Sequence, residues 1–250
     1  SFVARMARRG QPPLWINLEY LSAEDYVRRN HGLRSPQFSG PGRSLDKWFF
    51  YPGFHSGTGG LIREPGLMDR RRHFDGRAWL RSKALAPRPG ERVISLFGYA
   101  SAPVGALLQA LGETPTLVLA TPGAASQALQ VALARQPPPP RLRCIDVPWL
   151  TQTDFDHLLW ACDLNFVRGE DSFVRAMWAG APFVWQIYPQ RVAAHTLKLE
   201  AFLVCFLGGA APGLRTGVRA VWRAWNGLST WPGELPSLAP WADQARRWRD

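Results

Sequence analysis

The sequence predicts an α/β fold: a parallel sheet with helices on both faces. Two observations predict it. From Arg92 onward, short apolar runs of strand length alternate with segments of helical periodicity, the order that builds βαβ units. The stretch from Leu164 to Tyr188 then condenses such a unit into one strand, a tight acidic turn, a helix and a second strand.

The strands are expected at 93–97, 116–120, 142–145, 164–167 and 183–187. The helices between them are expected at 104–111, 125–134, 154–159 and 171–179, with right-handed connections. Gly169 frees the backbone for the acidic turn. Asp171 or Ser172 offers a cap to the next helix, on which Phe173, Val174, Met177 and Trp178 share one face. Gly180 and Pro182 end it. Three further helices are expected at 196–206, 218–225 and 241–250.

Before Arg92 the pattern is looser. Residues 1–10 have helical composition, and 14–21 and 48–54 read as strands. Ser22-Ala23-Glu24-Asp25 resembles a capping box, with Ser22 supplying the oxygen. Residues 34–44 read as a loop. Residues 63–91, rich in Arg, Pro and Gly, read as a partly helical linker whose Arg70-Arg71-Arg72-His73 run faces solvent.

Composition narrows the function. The 250 residues carry a formal charge of +11, mostly from arginine, which favours a nucleotide, a nucleic acid or an acidic protein as partner. With 46% hydrophobic residues, 12 Trp and 13 Phe, the chain supports a packed core. Cys144, Cys162 and Cys205 show neither metal-ligand spacing nor a disulfide framework, so free thiols in a reducing cytoplasm are expected, with no metal site. No apolar run reaches membrane-span length, and no secretory signal opens the chain. The start at Ser1 reads as an interior position of a longer protein.

In an open parallel sheet the ligand lies beyond the C-terminal strand ends. That rule collects Phe97, Gly98 and Tyr99, then Thr121-Pro122-Gly123, then Pro148, Trp149, Gln152 and Phe155. It also collects Arg168, Gly169, Glu170, Asp171 and Ser172, and finally Gln186, Tyr188 and Gln190. Aromatic rings beside an amide suit a nucleobase. Backbone amides at 171–173 suit a diphosphate, which Arg168 or Arg175 would neutralise. Glu170 and Asp171 have two readings. They complement the helix dipole, at about 0.3–1 kcal/mol each, or Glu170 turns to sugar hydroxyls.

The strings themselves resemble a family. Phe166-Val167-Arg168-Gly169-Glu170-Asp171-Ser172-Phe173-Val174-Arg175-Ala176, with Trp178-Ala179-Gly180 and Trp185-Gln186-Ile187-Tyr188, closely resemble the signature of the elongation factor P arginine rhamnosyltransferases, the EarP family. Trp15–Asp25, Phe49–Phe54 with Thr58–Leu61, and Asp154–Asp163 resemble further blocks, and Trp222–Asn226 a weaker one. The resemblance implies a GT-B fold of two Rossmann-like domains. It implies inverting transfer of rhamnose from dTDP-β-L-rhamnose to one arginine of bacterial elongation factor P, activating it for ribosomes stalled at polyproline. It implies no metal, no cofactor beyond the donor substrate, and a cytoplasmic location without membrane or direct nucleic-acid contact. Phe97 and Tyr99 match aromatic nucleotide-site positions, Gln152 and Phe155 residues around the thymine, and Glu170 an essential glutamate. Asp171 and Ser172 flank the diphosphate, Gln186 and Tyr188 complete the nucleotide-sugar set, and Arg168 and Arg175 are both candidates to assist the leaving group.

One departure stands out. The family's Asp-Asn-Tyr-Gly-Asp-Ile-Gly-type loop, with its general-base aspartate, has no counterpart in this sequence. The expectation is therefore a chain truncated at both ends, which binds nucleotide better than it catalyses. Residues 1–68 would be the remnant of an incomplete N-terminal, acceptor-side domain, 69–91 a linker, 92–235 the dTDP-sugar-binding domain, and 236–250 the start of a helix returning toward the N-terminal domain. Two other readings fit the residues: a non-catalytic basic α/β module that binds nucleic acid or an acidic protein, and a transferase for another sugar nucleotide.

Overall fold

Five parallel strands form the larger sheet of the computed structural model, which describes every residue except Pro12, Ser44, Glu113 and 190–193. Gln190, grouped above with the binding loops, lies outside the described residues. The chain divides into two compact units.

The first unit comprises Ser1–Arg63 and Leu197–Cys205. Its elements are α1 (Phe2–Ala7), β1 (Trp15–Leu18), α2 (Asp25–Asn30), β2 (Arg34–Pro36), a 3₁₀ turn at Gly40–Gly42 and β3 (Asp46–Phe50). β3 is central, parallel to β1 and antiparallel to β2. β2 falls within the stretch expected as loop. Its three residues, Arg-Ser-Pro, carry no apolar alternation, and Pro36 is tolerated because the strand lies at the sheet edge. The capping box is also corrected. Ser22 is buried and bonds within its own turn, accepting from the Glu24 amide and donating to the Glu24 carboxylate, while Glu24 itself precedes α2 without a side-chain cap. Gly59 is dictated by packing, since a Cβ there would stand 2.3 Å from the Phe50 ring.

The second unit comprises Glu64–Thr196 and Phe206–Asp250. It opens with α3 (Leu67–Arg72) and α4 (Gly76–Ser82), followed by β4 (Arg92–Leu96), α5 (Val104–Leu111), β5 (Thr116–Ala120), α6 (Ala124–Arg135) and β6 (Leu142–Asp146). Then come α7 (Gln152–Ala161), β7 (Leu164–Arg168), α8 (Asp171–Ala179), β8 (Phe183–Gln186), α9 (Ala194–Phe206), α10 (Pro212–Trp225) and α11 (Leu238–Arg249). Most of α9 is counted with the first unit. The strand order is β6-β5-β4-β7-β8, the doubly wound order in which the chain reverses direction between β4 and β7.

Of residues 63–91, expected as a linker, all but Arg63 are built into this unit. α4 packs on α7, and Leu80 and Leu85 join Val93, Leu117, Leu119, Val147, Leu158 and Cys162 in one buried cluster. The arginines hide this from a composition reading, because only every third or fourth residue faces the core. Residues 236–250, expected to return toward the N-terminal domain, form α11, which packs on α8 and α10. Around β7 and β8 aromatic rings cover both faces of the sheet. Phe173 stacks on Trp185 at 4.2 Å, Phe166 meets Trp225 at 4.4 Å, and Phe183 meets Trp222 edge-on at 5.3 Å. Asn165, buried in the sheet, accepts from Ser95 Oγ and donates to the Leu159 carbonyl. All three cysteines are free, Cys162 buried and the other two half-buried. No helix among the described residues is long and apolar enough to cross a membrane.

Candidate functional site

A cleft of about 390 Å³ opens where the strand order reverses, beyond the C-terminal ends of the strands. Phe97 enters it just after β4, Thr121 and Pro122 after β5, Trp149 to Phe155 between β6 and the first turns of α7, and Arg168 to Ser172 from the end of β7 into α8. Local chemistry explains each placement. Gly169 takes the left-handed conformation, φ 68°, so the chain reverses between strand and helix at one residue. Trp185 Nε1 donates to the Gly169 carbonyl at 2.7 Å and pins the turn to β8. Thr151 caps α7 by accepting the Asp154 amide, which leaves exposed Gln152 as the first helical residue on the cleft rim.

The rings and cation form one group. The Arg168 guanidinium lies 4.6 Å from the Phe97 ring centre and 4.8 Å from that of Tyr99. Phe155 meets Phe97 edge-on at 5.5 Å, and Tyr188 meets Tyr99 edge-on at 5.8 Å. Burial raises the pKa of the Tyr99 phenol, with Tyr188 and Glu170 adding to it and Arg168 opposing. Arg168 forms no ion pair among the described residues, so its charge is available to a ligand. Half-buried Glu170 sits at the N-cap of α8 but makes no side-chain cap bond there.

The expected caps of α8 have other work. Ser172 Oγ donates to the Arg168 carbonyl, and Asp171 accepts from Arg175 Nε at 3.0 Å. No side chain therefore caps the helix at the cleft.

Of the residues expected in a site, the cleft brings together Phe97, Gln152, Phe155, Arg168, Glu170, Asp171 and Ser172. Tyr99, Gln186, Tyr188 and Arg175 do not line it. Tyr99 flanks it through Arg168, and Tyr188 packs on Tyr99. Gln186 is buried, and its Oε1 accepts the Tyr99 amide at 2.7 Å while its Nε2 donates to Ser101 Oγ. It therefore holds the loop after β4, and a side chain at Gly98 would crowd it at 3.1 Å.

Arg175 is corrected from an anion-facing residue to a structural one. Its side chain is 12% exposed and donates to Glu64 at 2.7 Å, to both Asp156 oxygens at 3.0 Å and to Asp171 at 3.0 Å. Burial opposes its charge, but the bonds to Glu64, Asp156 and Asp171 outweigh that and raise its pKa. Burial pushes the Asp156 carboxyl upward, and Arg175 offsets only part of the rise. Conversely, Leu150 and Thr151 line the cleft without having been singled out as site residues. Trp149, collected with the loop after the third strand, also lines the cleft and is 84% exposed.

Comparison with known proteins identifies the family. The sequence profile of a family described as Elongation-Factor P (EF-P) rhamnosyltransferase EarP matches residues 1–250. A protein-arginine rhamnosyltransferase of Pseudomonas aeruginosa is 41% identical over 98% of this chain and 69% of its own length. The Pseudomonas putida protein of the same name is 44% identical over 90% of this chain and 63% of its own. The corresponding Shewanella oneidensis protein is 39% identical over 80% and 55%. This chain therefore spans between 55% and 69% of these three relatives. A solved structure described as "Structural basis for EarP-mediated arginine glycosylation of translation elongation factor EF-P" superposes with a TM-score of 0.67 at 34% identity, covering 79% of this chain and 68% of that one. The fold is thus of the GT-B glycosyltransferase type. Matched along its whole length by the family profile and carried by relatives of one name, this chain belongs to the EarP family of elongation factor P rhamnosyltransferases.

Proposed function

We propose that the cleft between β4 and β7 holds dTDP-β-L-rhamnose, and that the chain serves transfer of rhamnose, with inversion, to an arginine of elongation factor P in the cytoplasm. The observation that carries this reading is the convergence, in one cleft, of Phe97 and Phe155, the Gln152 amide, the Arg168 cation and an α8 terminus without a side-chain cap. Gln152 reads the thymine edge while Phe155 and Trp149 pack against its faces. The first amides of α8 and Arg168 take the diphosphate. Glu170 turns to the rhamnose hydroxyls. Asp171 is 72% exposed and paired with Arg175, which it shares with Glu64 and Asp156, so water and that cation screen its charge from the diphosphate.

Inverting transfer is a displacement. An arginine nitrogen of the acceptor bonds to the anomeric carbon as the bond to the β-phosphate oxygen breaks, and dTDP departs with the electron pair. Negative charge grows on that oxygen, so a cation beside it stabilises the transition state more than the ground state. Of the two arginines considered, Arg168 suits this role, since it lines the cleft while Arg175 is committed to three carboxylates. The acceptor guanidinium, with a pKa above about 12, must also surrender a proton. No residue of this chain is assigned to that step.

Calorimetric titration with dTDP, UDP and GDP tests the reading. Tightest binding to dTDP is expected, weakened about tenfold by Gln152→Ala, the worth of one good hydrogen bond. Arg168→Ala should cost more, because its bond to phosphate is charge-assisted. A folded sample that does not bind dTDP overturns the assignment.

A further inference from the structure

The arginines of the second unit are of two kinds. Arg175 has three carboxylate partners, and Arg143 donates twice to Glu91 at 2.7 Å. A second cavity, of about 570 Å³, gathers arginines that are not matched in this way. It opens at the N-terminal strand ends, where Arg92 begins β4, Asp163 precedes β7 and Pro182 precedes β8. Five residues of strand, at roughly 3.3 Å each, put it about 16 Å from the cleft at the opposite edge.

Arg71 from α3, Arg77 from α4, Arg92 and Arg246 from α11 line this cavity. Arg71 is half-buried, and its Nε donates to the Ala179 carbonyl at 3.3 Å rather than to an acid. Arg77 and Arg92 form no ion pair among the described residues, and Arg246 pairs with exposed Asp243. Of the cavity's two acids, one is paired with an arginine outside it and the other keeps its charge near Arg92. Glu91 is held by Arg143, and Asp163 accepts the Val93 amide at 2.7 Å. Burial lowers the pKa of Arg71, and neighbouring Arg249 lowers it further. Burial lowers that of Arg92 as well, while Asp163 opposes. The cavity therefore concentrates positive charge from three separate helices and a strand, at a cost that a bound anion would offset. Its volume is that of a small-molecule site, roughly 300–1,000 Å³, too small for a nucleic-acid groove. Guanidinium forks at several angles suit phosphate oxygens.

We propose that the cavity at the N-terminal edge of the five-stranded sheet is a second anion site, taking a compact ligand with several phosphate charges. The proposal does not depend on the donor-site reading.

The test is calorimetry of the whole chain with sodium tripolyphosphate, with dTDP present in excess and again in the Arg168→Ala variant. One tripolyphosphate per chain is expected in both. Paired Arg77→Ala and Arg92→Ala substitutions should weaken it at least about tenfold, the loss of one charged hydrogen bond or more. Exposed Arg77→Glu should do the same without touching a half-buried residue, whereas paired Arg70→Ala and Arg72→Ala, outside the cavity, should leave binding intact. Absence of binding overturns the proposal. So does binding that survives Arg77→Glu, binding of citrate as tight as tripolyphosphate, or preference for a single-stranded RNA over tripolyphosphate.

Discussion

The two sheets of this protein are made from similar residues and end in opposite states. In the five-stranded sheet, β5 and β8 are buried at every position, and β4 and β7 at all but one. In the three-stranded sheet no strand residue reaches that level, and Leu14, Ile16, Leu18 and Tyr20 expose alternate side chains between 54% and 74%. Apolar composition alone therefore does not decide burial. What decides it is whether both faces are covered. Continuous apolar runs suit strands covered on both sides, as β4, β5, β7 and β8 are, whereas alternation suits strands with one open face. Here β1 alternates, but with apolar Ile16 and Leu18 on the outer side and Asn17 turned inward to Glu19.

The largest effects should break the well-covered sheet. Phe173, fully buried against Trp185 and Phe183, should cost about 3–5 kcal/mol when cut to alanine. Ile16→Ser should change stability by about 0.5 kcal/mol or less. Urea denaturation followed by tryptophan fluorescence measures both, and an equal cost would show that the exposed face of β1 is covered in solution.

Arg175→Met comes next. It strands Asp156, whose side chain is only 10% exposed, and removes the tie from α8 to α7, so a loss of about 3–5 kcal/mol is expected. Adding Asp156→Leu should recover much of it. If dTDP affinity falls with stability restored, Arg175 also positions the cleft. If it does not fall, the triad of carboxylates is purely structural.

The smallest effect concerns acid. Arg143 holds the Glu91 carboxyl below the ordinary glutamate range against the opposing effect of burial. A depressed folded-state pKa stabilises the fold above the unfolded value, about 4.3, and that contribution is lost as pH falls through the lower folded value. Acid melts should show the second unit losing stability in that window, and Glu91→Gln should flatten the slope. The exposed Arg34–Asp46 pair of the first sheet, 56% and 37% accessible, should contribute much less.

Much of the second unit was legible beforehand. All five of its strands lie where apolar runs meet turn residues, and the Gly169 turn and Gly180 stop follow from local backbone chemistry. The cleft was legible because a parallel sheet places its ligands at the C-terminal strand ends, which picks out Phe97, Gln152 and Arg168 without any side-chain geometry. Two kinds of feature were not legible. Short elements such as β2 carry too few residues to show a period. Helices rich in arginine, such as α3 and α4, hide a narrow buried stripe beneath their composition.

The sequence by itself determined the α/β alternation, the turn at Gly169 and the family, because each depends on neighbours in the chain or on long matching strings. Only the tertiary structure decided which arginine lines the cleft and which is bound by carboxylates. Arg168 and Arg175 lie seven residues apart in one motif. Arg175 meets Asp156, 19 residues away, and Glu64, 111 residues away, while Arg168 meets the rings of Phe97 and Tyr99. A guanidinium's role follows from the charges around it, and those are brought together by packing rather than by sequence order.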